Sequence, residues 1–360
     1  MFRLLPAALL LMLAIHSAQA QTDVEKRIQT QCILAEDGDI IEIPAGNFTI
    51  SSTLSLDEKK NVTLRGAGQD KTVLSFKGQK QGAEGLKVTN SANIVLENFT
   101  IEDAKGDIIK TQNVNGIIFR DITARWTGKP DESNGSYALY PVQCQKVRIE
   151  RCTAIGASDA GIYVGQSDSV WVTECTAKNN VAGIEIENTT NAWVWKNHAF
   201  ENTGGILVFD LPDLPKKRGG HVKVYDNLVA RNNYRNFAPK GNIVGTVPAG
   251  TGVMVLATND VEVYNNKIWE NKTVSTGIVS YYITETPIND KSYIPYPSDV
   301  SVHDNIYSDG RRMPTLSFKP SYRICIGENE NGTFANLRAD KLSLMSDHIS
   351  RDKAPFNCNR

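Results

Sequence analysis

Cysteine is scarce in this chain, with six residues in 360, and none of them forms a Cys-x-x-Cys or a Cys/His cluster. That scarcity excludes a structural zinc site and argues against a disulfide framework. No haem Cys-x-x-Cys-His and no nucleotide-binding glycine loop is present. No cofactor or metal is therefore expected, with calcium left open. Net charge is only −1 and the basic residues are scattered, which removes nucleic acid and anionic membrane surfaces as expected partners. Beyond residue 20 no apolar run is long enough to span a membrane.

The longest apolar stretch lies at the very start. Arg3 supplies a positive charge, Leu4 to Ile15 an apolar segment, and Ala18-Gln-Ala20 a small-x-small cleavage site. Residues 1–20 are expected to be a signal peptide cut near Ala20. The mature protein is expected to be exported, either periplasmic or secreted, with no transmembrane segment.

What the chain has in abundance is one short phrase. An apolar–x–apolar triplet begins at Ile94, Ile117, Val147, Val170, Ala192, Val222, Val261 and Val300. Five places on stand Phe99, Ile122, Cys152, Cys175, Asn197, Asn227, Asn266 and Asn305. Repetition at this spacing marks a solenoid, and the alternation in Val222-Lys-Val224 and Val261-Glu-Val263 marks strands. A second strand in each unit opens on a small residue, as in Gly161-Ile-Tyr-Val, Gly183-Ile-Glu-Ile, Gly205-Ile-Leu-Val, Gly252-Val-Met-Val and Gly277-Ile-Val-Ser. A third, short strand follows the ladder position, as in Ile268-Trp269.

The expected fold is all-β, a right-handed parallel β-helix with three strands per coil. Asn197, Asn227, Asn266 and Asn305 should stack as a ladder, preceded by Cys152 and Cys175 as buried thiols about 4.8 Å apart. Length alone suggests two domains, but the repeat runs over residues 38–310 without a linker, so one elongated domain is expected. Val24, Ile28 and Cys32–Leu34 sit at helical spacing, making residues 21–37 an N-terminal capping helix that covers the open strand edge. Residues 311–360 lose the repeat and should fold as an irregular C-terminal cap, with Cys325 and Cys358 as disulfide candidates.

Insertions between coils spare the ladder corner and fall at the two ends of the Gly-led strand, at 125–136, 232–250, 211–220 and 283–298. Loops at both ends of one strand ladder wall in the face it presents, and such loops are where function concentrates. By alternation, the outward residues of that face are Lys87, Lys110, Tyr140, Tyr163, Glu185, Leu207, Met254 and Val279. A second outward row is Thr89, Gln112, Val142, Gly165, Glu187, Phe209, Leu256 and Tyr281, with Gln143, Gln166, Asn188 and Asp210 just beyond. Rings, amides and carboxylates in a groove suit an extended carbohydrate. Tyr140, Tyr163, Glu185 and Asp210 are the catalytic candidates, with Asp159 a further one: a tyrosine beside Glu185, with a nearby cation, suits removal of the proton next to a uronate carboxyl, and a two-carboxylate glycosidase pair could be drawn from Glu185, Glu187 and Asp210. Lys87, Lys110, Gln143, Gln166, Glu187, Asn188, Lys216, Arg218 and His221 are the substrate-binding candidates. The bland alternative is a stacked tyrosine face that merely holds the sheet together. Residues 236–252 are too apolar for a linker and should pack over the groove as a wall or lid.

The stretch Gly38-Asp-Ile-Ile-Glu-Ile-Pro-Ala-Gly-Asn-Phe-Thr-Ile, with Leu64-Arg-Gly-Ala-Gly and Thr72-Val-Leu-Ser, resembles the first coils of pectin-lyase-like β-helix proteins. Tyr140-Pro-Val-Gln-Cys144, Ala157-Ser-Asp-Ala-Gly-Ile-Tyr-Val-Gly-Gln-Ser167 and Asn236-Phe-Ala-Pro with Gly250-Thr-Gly-Val-Met-Val255 are similar to an uncharacterised exported bacterial parallel β-helix repeat family. The likeness covers most of residues 38–310. It implies the fold, carries over no catalytic residues, and suggests a periplasmic protein partner such as a c-type cytochrome. Mannuronan epimerases and pectate lyases are more distant relatives by fold, yet the chain lacks the Asp-Pro-His-Asp signature of the former and an evident calcium-binding Asp cluster of the latter. Two functions are expected from the sequence: a lyase or epimerase on an acidic polysaccharide, or a non-catalytic binding or assembly factor for a glycan or partner protein.

Overall fold

Eight phrase strands lie side by side in the computed structural model, which describes residues 24–308 and the strands Tyr322–Gly327, Arg338–Ala339 and Ile349–Asp352. Ile94, Ile117, Val147, Val170, Ala192, Val222, Val261 and Val300 pair in unbroken parallel register. The phrase strands and the short third strands form one sheet of nineteen strands, the ladder sheet. The Gly-led strands form a second sheet of eleven. Inward-facing Ile, Val, Leu and Phe from every coil meet in one continuous core, much of it fully buried.

The ladder corner is built from two residues. Glu174, Lys196, Asp226, Asn265 and Asp304 take left-handed backbone with φ of 53 to 56°, and each is followed by its ladder residue. The N–H of Asn197 donates to Asn227 Oδ1 at 2.9 Å, that of Asn227 to Asn266 Oδ1 at 3.0 Å, and that of Asn266 to Asn305 Oδ1 at 3.0 Å. Cys175 donates its N–H to Asn197 Oδ1 at 3.0 Å, and Cys152 its N–H to Cys175 Sγ at 3.4 Å. The two cysteines are buried free thiols. A bend that needs one left-handed residue and one buried acceptor leaves no place for an insertion.

A second asparagine ladder, five residues further on, has no counterpart in the sequence reading. Asn180, Asn202, Asn232 and Asn271 are buried, and each backbone N–H in the row donates to the next side-chain oxygen at 2.9 to 3.2 Å. This ladder explains the glycine that opens the following strands. A Cβ on Gly161, Gly183, Gly205 or Gly252 would lie 2.6 to 3.0 Å from the amide nitrogen of Asn180, Asn202, Asn232 or Asn271.

Residues 24–34 form a helix over the open N-terminal edge. Ile28 and Cys32 are buried beneath it, while Leu34 is 69% exposed and takes no part in that contact. Gln29 donates to Ser55 O at 3.1 Å and accepts from Ser55 N–H at 2.8 Å, taking the place of a neighbouring strand. At the other end, Tyr322–Gly327 pairs with Val274–Val279, and Ile349–Asp352 pairs with it in turn. The parallel strands thus continue into the region where the sequence loses its visible repeat. The signal segment and Cys358 lie outside the described residues, as does the side chain of Cys325. No helix among the described residues is long and apolar enough to cross a membrane.

Candidate functional site

The Gly-led sheet presents the expected row of outward residues through most of its length. Lys87 pairs with Lys110 and Lys110 with Tyr140. Tyr163, Glu185, Leu207 and Met254 follow in register. The last coil departs from the expectation. Gly277 stands opposite Met254, and Val279 opposite Leu256, so Val279 belongs to the second outward row and Tyr281 lies past the strand. Ser275, rather than Gly277, fills the small-residue slot there, which displaces the alternation by two.

Three tyrosines gather where the face turns from basic to acidic. The ring centroids of Tyr137 and Tyr140 are 4.4 Å apart, those of Tyr137 and Tyr163 4.5 Å, and those of Tyr140 and Tyr163 5.0 Å. Lys110 Nζ sits 4.9 Å from the Tyr140 ring centre, a cation–π contact. Tyr137 and Tyr140 are half-buried, whereas Tyr163 is 4% exposed. The Tyr163 hydroxyl donates to Glu187 Oε1 at 2.5 Å. Tyr137, absent from the expected site residues, has both other rings within 4.5 Å of its own; it lies three residues before Tyr140, on the opposite parity of the strand.

Four carboxyls share this neighbourhood, and burial shapes all of them. Glu187 is pushed up to about 7 by burial, against the opposing hydrogen bond from Tyr163. Asp159 is pushed up to about 7 by burial and then by the charge of Glu187, while Asn242 Nδ2, donating at 2.9 Å, holds it down. Asp107 rises to about 6 through burial, moderated by Lys110. Glu185 is raised well above the usual range by burial first and by Asp159 and Glu187 second, and its Oε2 has no hydrogen-bond partner among the described residues. A carboxyl buried so deeply stays protonated. Tyr140 is pushed up to about 12, again chiefly by burial.

The downstream half of the face is roofed. Asn236 Nδ2 donates to the carbonyls of Val244 and Val247 at 2.9 and 3.0 Å, and Ala238 N–H returns to its Oδ1 at 3.0 Å, so one side chain fixes the loop. Phe237, Val244 and Val247 pack with Leu207, Phe209, Met254 and Leu256 in a second apolar cluster outside the solenoid. The apolar end of the face is therefore the floor of a packed loop rather than an open groove. Glu185, 2% exposed, stands in the same row between Tyr163 and Leu207. The open part of the face runs from Lys87 to Tyr137 and Tyr140.

The remaining predicted residues are dispersed. Gln143 accepts from Gln112 Nε2 at 3.0 Å, and Gln166 Oε1 is buried without a partner among the described residues. Lys87 lies 3.9 Å from Glu84. Asn188 is fully buried and holds the loop after Asp210 by four hydrogen bonds, two with Leu211 and one each to the carbonyls of Lys216 and Lys217. Lys216 is spent inside the fold, donating to Ser167 O and Thr190 Oγ1. Asp210 accepts the Gly219 N–H at 3.0 Å on both oxygens and is pushed up to about 7 by burial. Arg218 lies beside it at the rim. His221 faces elsewhere: on the ladder sheet it meets Asp260 at 3.0 Å and the edge of Trp193. No group of three or more His, Cys, Asp or Glu side chains is placed to hold a metal among the described residues.

A model of the right handed beta helix region matches residues 60–213, and the solenoid is a right-handed parallel β-helix. No curated protein sequence matches the chain. Among solved structures, the A-module of the Azotobacter vinelandii mannuronan C-5 epimerase AlgE4 is similar at a TM-score of 0.58 and 13% identity, over 93% of this chain and 94% of that one. The AlgE6 A-module from the same organism gives a TM-score of 0.59 at 13% identity, over 93% of this chain and 92% of that one. The DFA-IIIase of Arthrobacter chlorophenolicus A6 gives 0.47 at 11% identity, over 93% of each chain. At such identities the likeness is one of fold.

Proposed function

We propose that the protein, exported to the periplasm or beyond, binds an acidic polysaccharide along the open face from Lys87 to Tyr140. There it moves the proton next to a uronate carboxyl, as an epimerase or a lyase does. The observation that carries this reading is the juxtaposition of half-buried Tyr140, cationic Lys110, and buried carboxyls held near neutrality at Asp159 and Glu187. A base works best when its affinity for protons lies near the working pH, and burial brings Asp159 to that range. In this reading Asp159 takes the proton from the sugar carbon. Lys110 balances the charge that develops on the uronate. The Tyr140 hydroxyl returns a proton, to the opposite face of the same carbon in an epimerase or to the departing glycosidic oxygen in a lyase. Of the neighbouring carboxyls, Glu185 is raised well above the usual range by burial, which limits the negative charge that a polyanion meets beside Lys110. The mannuronan epimerases of like fold act on such a polymer, which supports the substrate class and not the residues.

A second reading rests on the burial of Tyr163 and Glu185. A cluster sealed this well suits a binding or assembly factor that holds a glycan, or a periplasmic partner such as a c-type cytochrome, without chemistry. Incubation with a panel of acidic and neutral polysaccharides separates the two. Ultraviolet absorbance reports unsaturated uronates, and NMR in deuterated water reports exchange at the sugar carbon. Product that disappears in Tyr140→Phe while binding persists supports catalysis. Binding without exchange or cleavage on any polymer leaves the factor reading in place.

A further inference from the structure

A cavity of about 310 Å³ opens where the two loops that follow Gly-led strands meet, lined by Asp210, Lys217, Arg218, Ser292, Tyr293 and Ile294. Its volume is that of a small ligand pocket. Most polar groups at its walls are already engaged. Lys217 Nζ donates to Asp290 Oδ2 at 2.7 Å, which ties the loops together. Ser292 Oγ donates to Asp290 Oδ1 at 2.6 Å, and Tyr293 Oη to the Asp210 carbonyl at 2.5 Å. Asp210 is fastened to Gly219.

Arg218 is different. Among the described residues its guanidinium makes one hydrogen bond, from Nη2 to Ser298 Oγ at 3.2 Å. Its Nε is buried without an acceptor among the described residues, and no carboxylate there lies within ion-pair distance of it. A guanidinium carries five N–H donors in a fixed fork; with Nε closed off from the cavity, the donors a ligand can meet are those on the Nη atoms. The fork matches a carboxylate, which it binds through two parallel hydrogen bonds. Beside it, the ring of Tyr293 and the half-exposed Ile294 offer the apolar wall that the flat side of a sugar ring needs.

We infer that this cavity is a binding subsite for a single carboxylated sugar, with Arg218 gripping the carboxylate and Tyr293 and Ile294 backing the ring. It rests on the acidic-glycan reading for the identity of the sugar, and none of its lining residues belongs to the tyrosine cluster. The uronate arrives either as one residue of the polymer or as a free acid. Asp210 borders the cavity and rises to about 7 through burial, with Glu187 adding to the rise and the Gly219 N–H, Arg218 and Lys216 opposing it; its neutral form favours an anionic neighbour, and its ionised form repels one and competes for Arg218.

The test is calorimetric binding of glucuronate, galacturonate, their oligomers and the matching neutral sugars to the intact protein. A free uronate should bind, and the neutral sugar should bind roughly ten- to a hundredfold more weakly, the range of a charge-assisted pair. Arg218→Ala should impose a loss of the same size. Arg218→Lys should recover only part, since an ammonium cannot bind in a fork. Affinity in the wild type should fall as pH rises through neutrality, and Asp210→Asn should remove that fall. If Arg218→Ala fails to fold, Ile294→Trp at the exposed mouth must abolish uronate binding instead. Equal affinity for uronate and neutral sugar, or no effect of either variant, overturns the subsite. Oligomers that bind with Arg218 dependence while monomers do not assign it to the polymer; monomers that bind equally well assign it to a free acid. Polymer turnover unaffected by Arg218→Ala together with absent uronate binding sinks this inference and spares the proposed function. Uronate binding with no turnover of any polymer does the reverse.

Discussion

Replacing Glu187 by Gln should make this protein more stable at alkaline pH and flatten its response to pH. In the folded chain Glu187 titrates at about 7, against 4.5 for an ordinary glutamate, because burial penalises its charge. The folded state therefore binds more protons than the unfolded state between those values. Its stabilising contribution is complete below the ordinary value and is lost as pH rises through the folded one. The difference amounts to about 3 kcal/mol for this carboxyl. Asp159 and Asp210, each pushed up to about 7, and Asp107, at about 6, act in the same direction. Their mutual repulsion makes the sum less than additive. A glutamine oxygen still accepts the Tyr163 hydroxyl, so the variant keeps the hydrogen bond and loses only the titration. Urea unfolding followed from about pH 4.5 to about pH 8.5 should show wild-type stability falling with pH, and the variant falling less by about 3 kcal/mol. Stability that is flat or rising across that window in the wild type would refute the reasoning, as would an equal slope in the variant.

Asn227→Ala should cost about 3 kcal/mol or more in the same assay, because it strips partners from the Asn197 amide groups, the Val194 carbonyl and Asn266 Oδ1 at once. Gly205→Ala should cost about 1–3 kcal/mol, since the new Cβ would meet Val229 Cγ1 at 2.4 Å and the Gly252 carbonyl at 2.6 Å; thermal melting reads it directly. Lys110→Ala should weaken binding of an acidic glycan at low salt, with the difference from wild type shrinking as salt screens the charge; titration at two ionic strengths checks this.

The coils were legible because their phrase strands alternate and their ladder position repeats in plain view. Asn197, Asn227, Asn266 and Asn305 share one register in the sequence and one stack in space. The second ladder of Asn180, Asn202, Asn232 and Asn271 was equally regular, yet its trace was noticed only as a glycine starting the next strand. That glycine is the space an asparagine amide occupies, and asking why the position must be small would have found the partner. In the last coil Ser275 met the same need without being glycine, which misplaced Val279 and Tyr281. Burial of Glu185 could not be read from its own strand, where alternation places it on the outward face. His221 was misassigned to the rim for a related reason: a residue at the end of a loop belongs to the strand it enters, here the ladder sheet.

The asparagine ladders also have a polarity. Each side chain accepts from the backbone of the coil before it, and its amide reaches back to a carbonyl of that same coil, as Asn227 does with Asn197 and Val194. A coil is thus finished by its successor rather than by itself. From Cys152 onward, a coil at the growing end of the chain leaves its corner N–H without this acceptor until the next ladder residue joins it.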